Sequence, residues 1–242
     1  MTKYRLEYNL DRDIWNWYYG ANYSENGENN FKAVDDLEVL RKIKGLKTLE
    51  EAEPILHPLL QGKLDNPESE LNVFLKTATS QFEELFDKAC MVMEDITKHP
   101  IANEEFTFYV TTFPRMVVFY DEGIVFLYTR IDNELWGMPM DGFMHELLHF
   151  QTDKYWYQNP KSPVSKLSED DYFKLKESLT VILDEKLKPI ITLPDCSYPE
   201  FKDLRDKLHE HWKKNHDFEA LINYGVGLLW IKSKDVIITD KF

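Results

Sequence analysis

Phe143-Met144-His145-Glu146-Leu147-Leu148-His149-Phe150 is the stretch around which the rest of this chain is organised. Its period is helical. Residues four apart lie on one face of an α-helix, so two imidazoles one turn apart can reach a single ion. Glu146 follows His145 directly, beside the coordination positions left open. In a His-Glu-x-x-His pattern the two histidines bind zinc and the glutamate serves as general base. A catalytic zinc takes three protein ligands, keeps one position for water and lowers that water's pKa toward neutrality. The expected cofactor is therefore Zn2+, with His145 and His149 as ligands and Glu146 taking the proton. The bland alternative is a pair of hydrogen-bonded histidines on a half-buried helix.

Outward from the motif, Asp141 is placed to cap a helix over 142–154. Upstream, 106–110 has the aromatic and β-branched composition of a strand. The runs 116–120 and 124–128 flank Asp121-Glu122-Gly123, which predicts a β-hairpin over 116–128. Residues 131–140 form a loop. Downstream, 170–188 carries Leu175, Leu179, Ile182, Leu183 and Leu187 as a helical stripe. Further helices are expected over 199–215 and 218–229, and a short strand over 236–238. The first hundred residues look mainly helical, with stripes over 35–47 and 68–97, the latter ended by His99-Pro100. The expected fold is α+β, mainly helical with a small sheet. A helical N-terminal lobe (1–100) would pack on a metal-binding core (101–242).

Composition narrows the class. Among 242 residues, 43% are hydrophobic and 30% charged, which fits a folded globular chain and argues against disorder. The formal net charge of -14 repels phosphate backbones and anionic lipid, so neither nucleic acid nor membrane is an expected partner. The first fifteen residues lack an apolar run, no segment has the length of a membrane span, and the two cysteines, Cys90 and Cys196, are far apart. These features place the chain in the reducing cytoplasm as an expectation. Oligomeric state leaves no mark on the sequence.

The motif and its surroundings, over 106–188, resemble the zincin metallopeptidases, in particular the gluzincin group. Met144-His145-Glu146-Leu147-Leu148-His149-Phe150 carries the resemblance, and Gln151 departs from it where the group has an apolar residue. The resemblance implies a thermolysin-like core, a glutamate as third ligand on a later helix, and an edge strand that pairs with extended substrate. Glu169, Glu177 and Glu185 are the candidates. Glu177 stands at the spacing seen in the group. It also lies among apolar residues, where a carboxylate needs a partner. Glu169 belongs to the acidic run Glu169-Asp170-Asp171, which suits a helix N-terminus. The group's Asp, four residues beyond the ligand, is replaced here by Val181, leaving Asp184 or Asp141 to orient a histidine. The resemblance further implies a His or Tyr that steadies an oxyanion, for which His211 and Tyr224 are available, each with ordinary packing as the alternative. Arg205 has two readings, a substrate carboxylate or a surface ion pair. The aromatic cluster Trp15, Trp17, Tyr18, Tyr19 and Tyr23 lines a cleft, covers the metal, or fills a core between helices.

The implied function is a zinc-dependent hydrolase that cleaves an amide bond in a peptide or protein substrate. Two rivals accompany it: a zincin-like zinc protein without peptidase activity, and a helical interaction module bearing a chance motif.

Overall fold

The computed structural model describes residues 2–23, 36–129, 139–184, 187–192 and 198–239, with side chains to residue 230. Among them are eight α-helices and a four-stranded mixed sheet, an α+β and mainly helical architecture as expected. No helix among the described residues is long and apolar enough to cross a membrane. The chain divides into two compact units: residues 1–84 with 104–139, and residues 85–103 with 140–242. Each unit draws on residues from both sides of position 100.

The first unit holds the sheet, ordered β1-β2-β4-β3. β2 (Glu105–Thr111) alternates, and Phe106, Phe108 and Val110 face the interior. β3 (Val118–Phe119) and β4 (Ile124–Tyr128) form the predicted hairpin, with Val118 opposite Val125 and Phe119 opposite Ile124. Gly123 takes φ +67° in the turn, a conformation that suits glycine. β4 pairs with β2 in parallel. So does β1 (Lys3–Tyr8), with Lys3 opposite Glu105 and Tyr8 opposite Val110. The N-terminal residues are thus not wholly helical. Lys3, Arg5 and Glu7 alternate with Tyr4, Leu6 and Tyr8, and the charges suit an edge strand.

α1 (Leu10–Tyr23) is tied to the end of β2 by Asp13, which is fully buried. Its carboxylate accepts from the Thr111 hydroxyl (2.6 Å), the Thr112 hydroxyl (2.8 Å), the Thr112 amide (3.0 Å) and the Tyr8 phenol (3.1 Å). Four donors offset the desolvation of that group. α2 (Leu37–Ile43) and α3 (Leu49–Asp65) complete a core with Trp17, Tyr18, Ile43, Leu56 and Phe113. The aromatic cluster therefore packs: Trp17 meets Phe113 at 5.1 Å and Trp15 meets Phe126 at 5.7 Å. α3 was not expected, because Pro54 and Pro58 interrupt its pattern. Its start is secured by Thr48, whose hydroxyl accepts from the Glu51 amide, and by Glu51, which accepts from the Lys47 amide.

α4 (Glu70–Thr97) contributes residues 70–84 to the first unit and 85–97 to the second. Its buried stripe runs Leu71, Phe74, Ala78, Phe82, Phe86, Ala89 and Met93, at three- and four-residue steps. In the second unit, Phe86 stacks on Phe143 of α5 (Pro139–Thr152) at 5.2 Å. Gln151 is fully buried there. It donates to the Thr97 hydroxyl (3.2 Å) and the Pro100 carbonyl (3.1 Å) and accepts from the Ala102 amide (2.7 Å). A polar side chain at that position is thus fully used. α5 begins three residues before its expected start, and one π-helical turn, Asp153–Tyr157, follows it. Asp141 lies inside its first turn rather than capping it, and accepts from the Thr192 amide (2.7 Å).

α6 (Glu169–Leu179) passes into a 3-10 turn, Thr180–Ile182, so it is shorter than its apolar stripe implied. α7 (Lys202–Asn215) and α8 (Phe218–Thr239) close the unit. Gly225 lets α8 approach Leu175 and Leu208 closely. The expected strand over 236–238 is helix, the continuation of α8. Glu185, Cys196 and most of the 131–140 loop lie outside the described residues.

Candidate metal centre

α5 buries Phe143, Met144, Leu147, Leu148 and Phe150, and this apolar packing fixes which way its polar face turns. His145 and His149 lie on that face one turn apart, their ring centroids 4.4 Å from each other and nearly perpendicular (76°). α6 supplies Glu177, which is 7% exposed. Its carboxylate faces both rings: Oε2 is 3.5 Å from His145 Nε2, and Oε1 is 3.3 Å from His149 Nε2. Ligand atoms of the three residues all lie within 4.8 Å of one another, so the group can hold a metal ion.

The distances discriminate between pairing and coordination. Charge-assisted N–H···O bonds are about 2.7–2.9 Å long. Ligands held at about 2.0–2.1 Å around a tetrahedral zinc stand roughly 3.3–3.4 Å apart. The two carboxylate–imidazole separations, 3.5 and 3.3 Å, are longer than the first and close to the second. His149 adds a second test, for it is 2% exposed and neither of its ring nitrogens makes a hydrogen bond. A buried polar group left so costs about 1–3 kcal/mol. A metal ion on Nε2 would give one of the two nitrogens a partner.

Protonation agrees. Burial pushes the His149 imidazole down to about 3, and His145 beside it pushes the same way. Burial alone would raise Glu177, but the two imidazoles hold its carboxyl well below the usual range. A neutral histidine and an ionised glutamate are the forms that bind metal.

Further side chains surround the group. Glu146 is buried on α5 next to His145. Lys176 brings its ammonium to 3.5 Å from Glu177 Oε1 and lies over the Phe173 ring at 5.5 Å. Arg205 of α7 donates to the Glu177 carbonyl (2.9 Å) and to the Thr180 hydroxyl (2.8 Å). Neither reading named this placement: Arg205 holds the end of the helix bearing Glu177, where backbone carbonyls lose their helical partners. Tyr198 packs against Phe173 and Phe201 at 5.5 and 5.4 Å. Its phenol is raised by burial and by the charges of Glu177, Glu200 and Glu146, which keeps it a donor. The sequence does not single out Tyr198 or Lys176. Neither stands at a motif spacing, and only the packing of α6 against the segment before α7 draws attention to them.

The other candidates fall elsewhere. Glu169 lies with Asp170 and Asp171 in the first turn of α6, at a helix N-terminus as its acidic run suggested, and the cap itself is Ser168, whose hydroxyl accepts from the Asp171 amide (3.2 Å). His211 and Tyr224 stack on each other at 4.4 Å, and His211 Nε2 is 3.4 Å from Asn215 Nδ2. Neither belongs to the His-His-Glu group.

Comparison with protein-family models, with curated proteins and with solved structures gives no match.

Proposed function

We propose that the chain is a zinc-dependent hydrolase, a metallopeptidase of the His-Glu-x-x-His kind, cleaving an amide bond in a peptide or protein. One observation carries this: the Glu177 carboxylate faces the Nε2 atoms of two imidazoles one helical turn apart, at 3.5 and 3.3 Å, and the ligand atoms of all three residues lie within 4.8 Å of one another. The geometry requires no particular metal, but two imidazoles and a carboxylate with a position left over suit zinc. When bound, the ion acidifies water and polarises the carbonyl to be attacked.

The chain's own groups do the rest. His145, His149 and Glu177 hold the ion. Glu146, one residue beyond His145 and shielded from solvent, takes the proton of the attacking water and returns it to the leaving amine. Tyr198, whose phenol lies in the field of both Glu146 and Glu177, donates to the oxygen on which negative charge develops. It is better placed for that role than His211 or Tyr224, which are engaged with each other.

The test is Glu146→Gln. Purified wild type is expected to carry about one zinc per chain and to cut members of a mixed peptide library, read by mass spectrometry. The variant is expected to keep its zinc and lose about 10²–10⁴-fold in turnover. Wild type that takes up no zinc removes the metal site. A zinc-loaded wild type that cuts nothing leaves a metal protein without peptidase activity.

A further inference from the structure

Phe173 lies one helical turn before Glu177 on α6, on the same face. It is 39% exposed, and Tyr198 is 37% or more exposed as well, at 39%. These two rings and that of Phe201 pack together at centroid distances of 5.5, 5.9 and 5.4 Å. Large rings that cluster and still meet water are the informative exception among exposed apolar residues. The cluster adjoins the candidate metal centre. The Lys176 ammonium is 3.5 Å from Glu177 Oε1 and 5.5 Å from the centre of the Phe173 ring. The ring centre is therefore no farther from that ligand oxygen than those two lengths laid end to end. An extended peptide advances about 3.3–3.6 Å per residue, so a side chain within three residues of a carbonyl held at the metal has the length to meet the Phe173 ring. The Tyr198 phenol feels the charges of Glu177 and Glu146, which keeps its ring near the same centre.

Chemistry selects the side chain. An exposed ring gains most from a second apolar or aromatic group, in offset or edge-to-face contact. A basic side chain over a ring is the other option, but Lys176 already lies over Phe173, and a second cation is repelled there. A small side chain leaves the rings in water. We propose that the substrate of this centre carries a large apolar side chain, aromatic above all, within three residues of the bond to be cut, and that the Phe173 ring, with those of Tyr198 and Phe201 packed against it, receives that side chain. This rests on the hydrolase reading above and adds to it the class of residue that the centre selects.

The experiment uses the zinc-loaded, full-length Glu146→Gln protein, which binds without turnover. Three N-acetylated, C-amidated alanine heptapeptides are titrated calorimetrically, with Ala, Phe or Lys as the central residue. The Phe peptide is expected to bind about tenfold or more tightly than the Ala peptide, an ordinary gain for a partly buried aromatic side chain. The Lys peptide is expected to stay within about twofold of the Ala peptide, because Lys176 opposes it. Adding Phe173→Ala, or Phe173→Gln where the shorter side chain loosens the helix, is expected to cut the Phe advantage below about threefold at unchanged zinc content, while Phe173→Leu retains most of it. Equal binding of the Phe and Ala peptides, binding of none, or tightest binding of the Lys peptide overturns the inference, as does a Phe advantage that survives both Phe173→Ala and Phe173→Gln. Protein that holds no zinc overturns the hydrolase reading and this inference together, whereas zinc without a preference for the Phe peptide overturns this inference alone.

Discussion

Replacing Arg205 with Met should weaken the metal centre without removing any ligand atom. The guanidinium makes two hydrogen bonds to the end of α6, one to the Glu177 carbonyl at 2.9 Å and one to the Thr180 hydroxyl at 2.8 Å. Each hydrogen bond to a charged donor is worth about 1.5–3 kcal/mol. Arg205 is partly exposed, so water recovers a share and the lower end applies, giving about 3 kcal/mol for the pair. Met keeps most of the length of the stem, so the change falls mainly on the polar contacts of the guanidinium. The Thr180 hydroxyl already donates to the Glu177 carbonyl at 2.7 Å, so the helix end is frayed rather than lost. Fraying moves the Glu177 backbone and with it the carboxylate that both histidines face. Loss of a side chain that orients a ligand typically costs 10–100-fold in metal affinity. Urea unfolding of the metal-free protein measures the first effect, and competition with a chromophoric chelator the second. Thr180→Val completes a double-mutant cycle, in which coupling should exceed about 0.5 kcal/mol. A variant whose zinc affinity stays within twofold of wild type and whose urea midpoint does not move would show that Arg205 is an ordinary surface residue.

Three other perturbations probe the frame around the centre. Gln151→Leu should cost about 1–3 kcal/mol, because the Ala102 amide loses its acceptor and the Thr97 hydroxyl keeps only its bond to the Met93 carbonyl, while zinc binding persists; unchanged thermal stability would contradict the network. Gly20→Ala should destabilise by about 1–3 kcal/mol or more, since a Cβ there overlaps the fully buried Phe113 ring; a denaturation midpoint equal to wild type would refute that packing. Burial first, then Asp87 and Glu94, push the Cys90 thiol from 9.0 up to about 12. In a Cys196→Ser background, native Cys90 should resist iodoacetamide at pH 8 and react promptly in urea. Because the folded thiol keeps its proton to higher pH than the unfolded one, its contribution to stability is intact below about pH 9 and is lost as pH rises toward 12. Rapid native labelling at pH 8 is the contrary result.

Several features of the centre were legible in the chain itself. The spacing of His145 and His149 required only that 139–152 be helical, and the run of apolar residues there made it so. Glu177 was legible for a related reason, a carboxylate among leucines. The hairpin over 116–128 was legible from two apolar runs around a glycine turn. β1 was not. Its alternation of charge and apolar residue is only six residues long, and its partner lies a hundred residues away. α3 was hidden by two prolines, and the end of α6 by an apolar stripe that continues past Leu179 after the backbone has turned to 3-10.

The division between sequence and tertiary structure comes from range. Local periodicity determined that two imidazoles share a helix face with Glu146 beside them, and the resemblance implied a glutamate on a later helix. Only the packing of α6 and α7 decided that Glu177 meets both rings, that Arg205 grips its carbonyl, and that Lys176 and Tyr198 gather around it. Those placements depend on contacts between residues far apart in the chain, and a side chain's charge or size carries no record of which distant neighbour the folded backbone will bring to it.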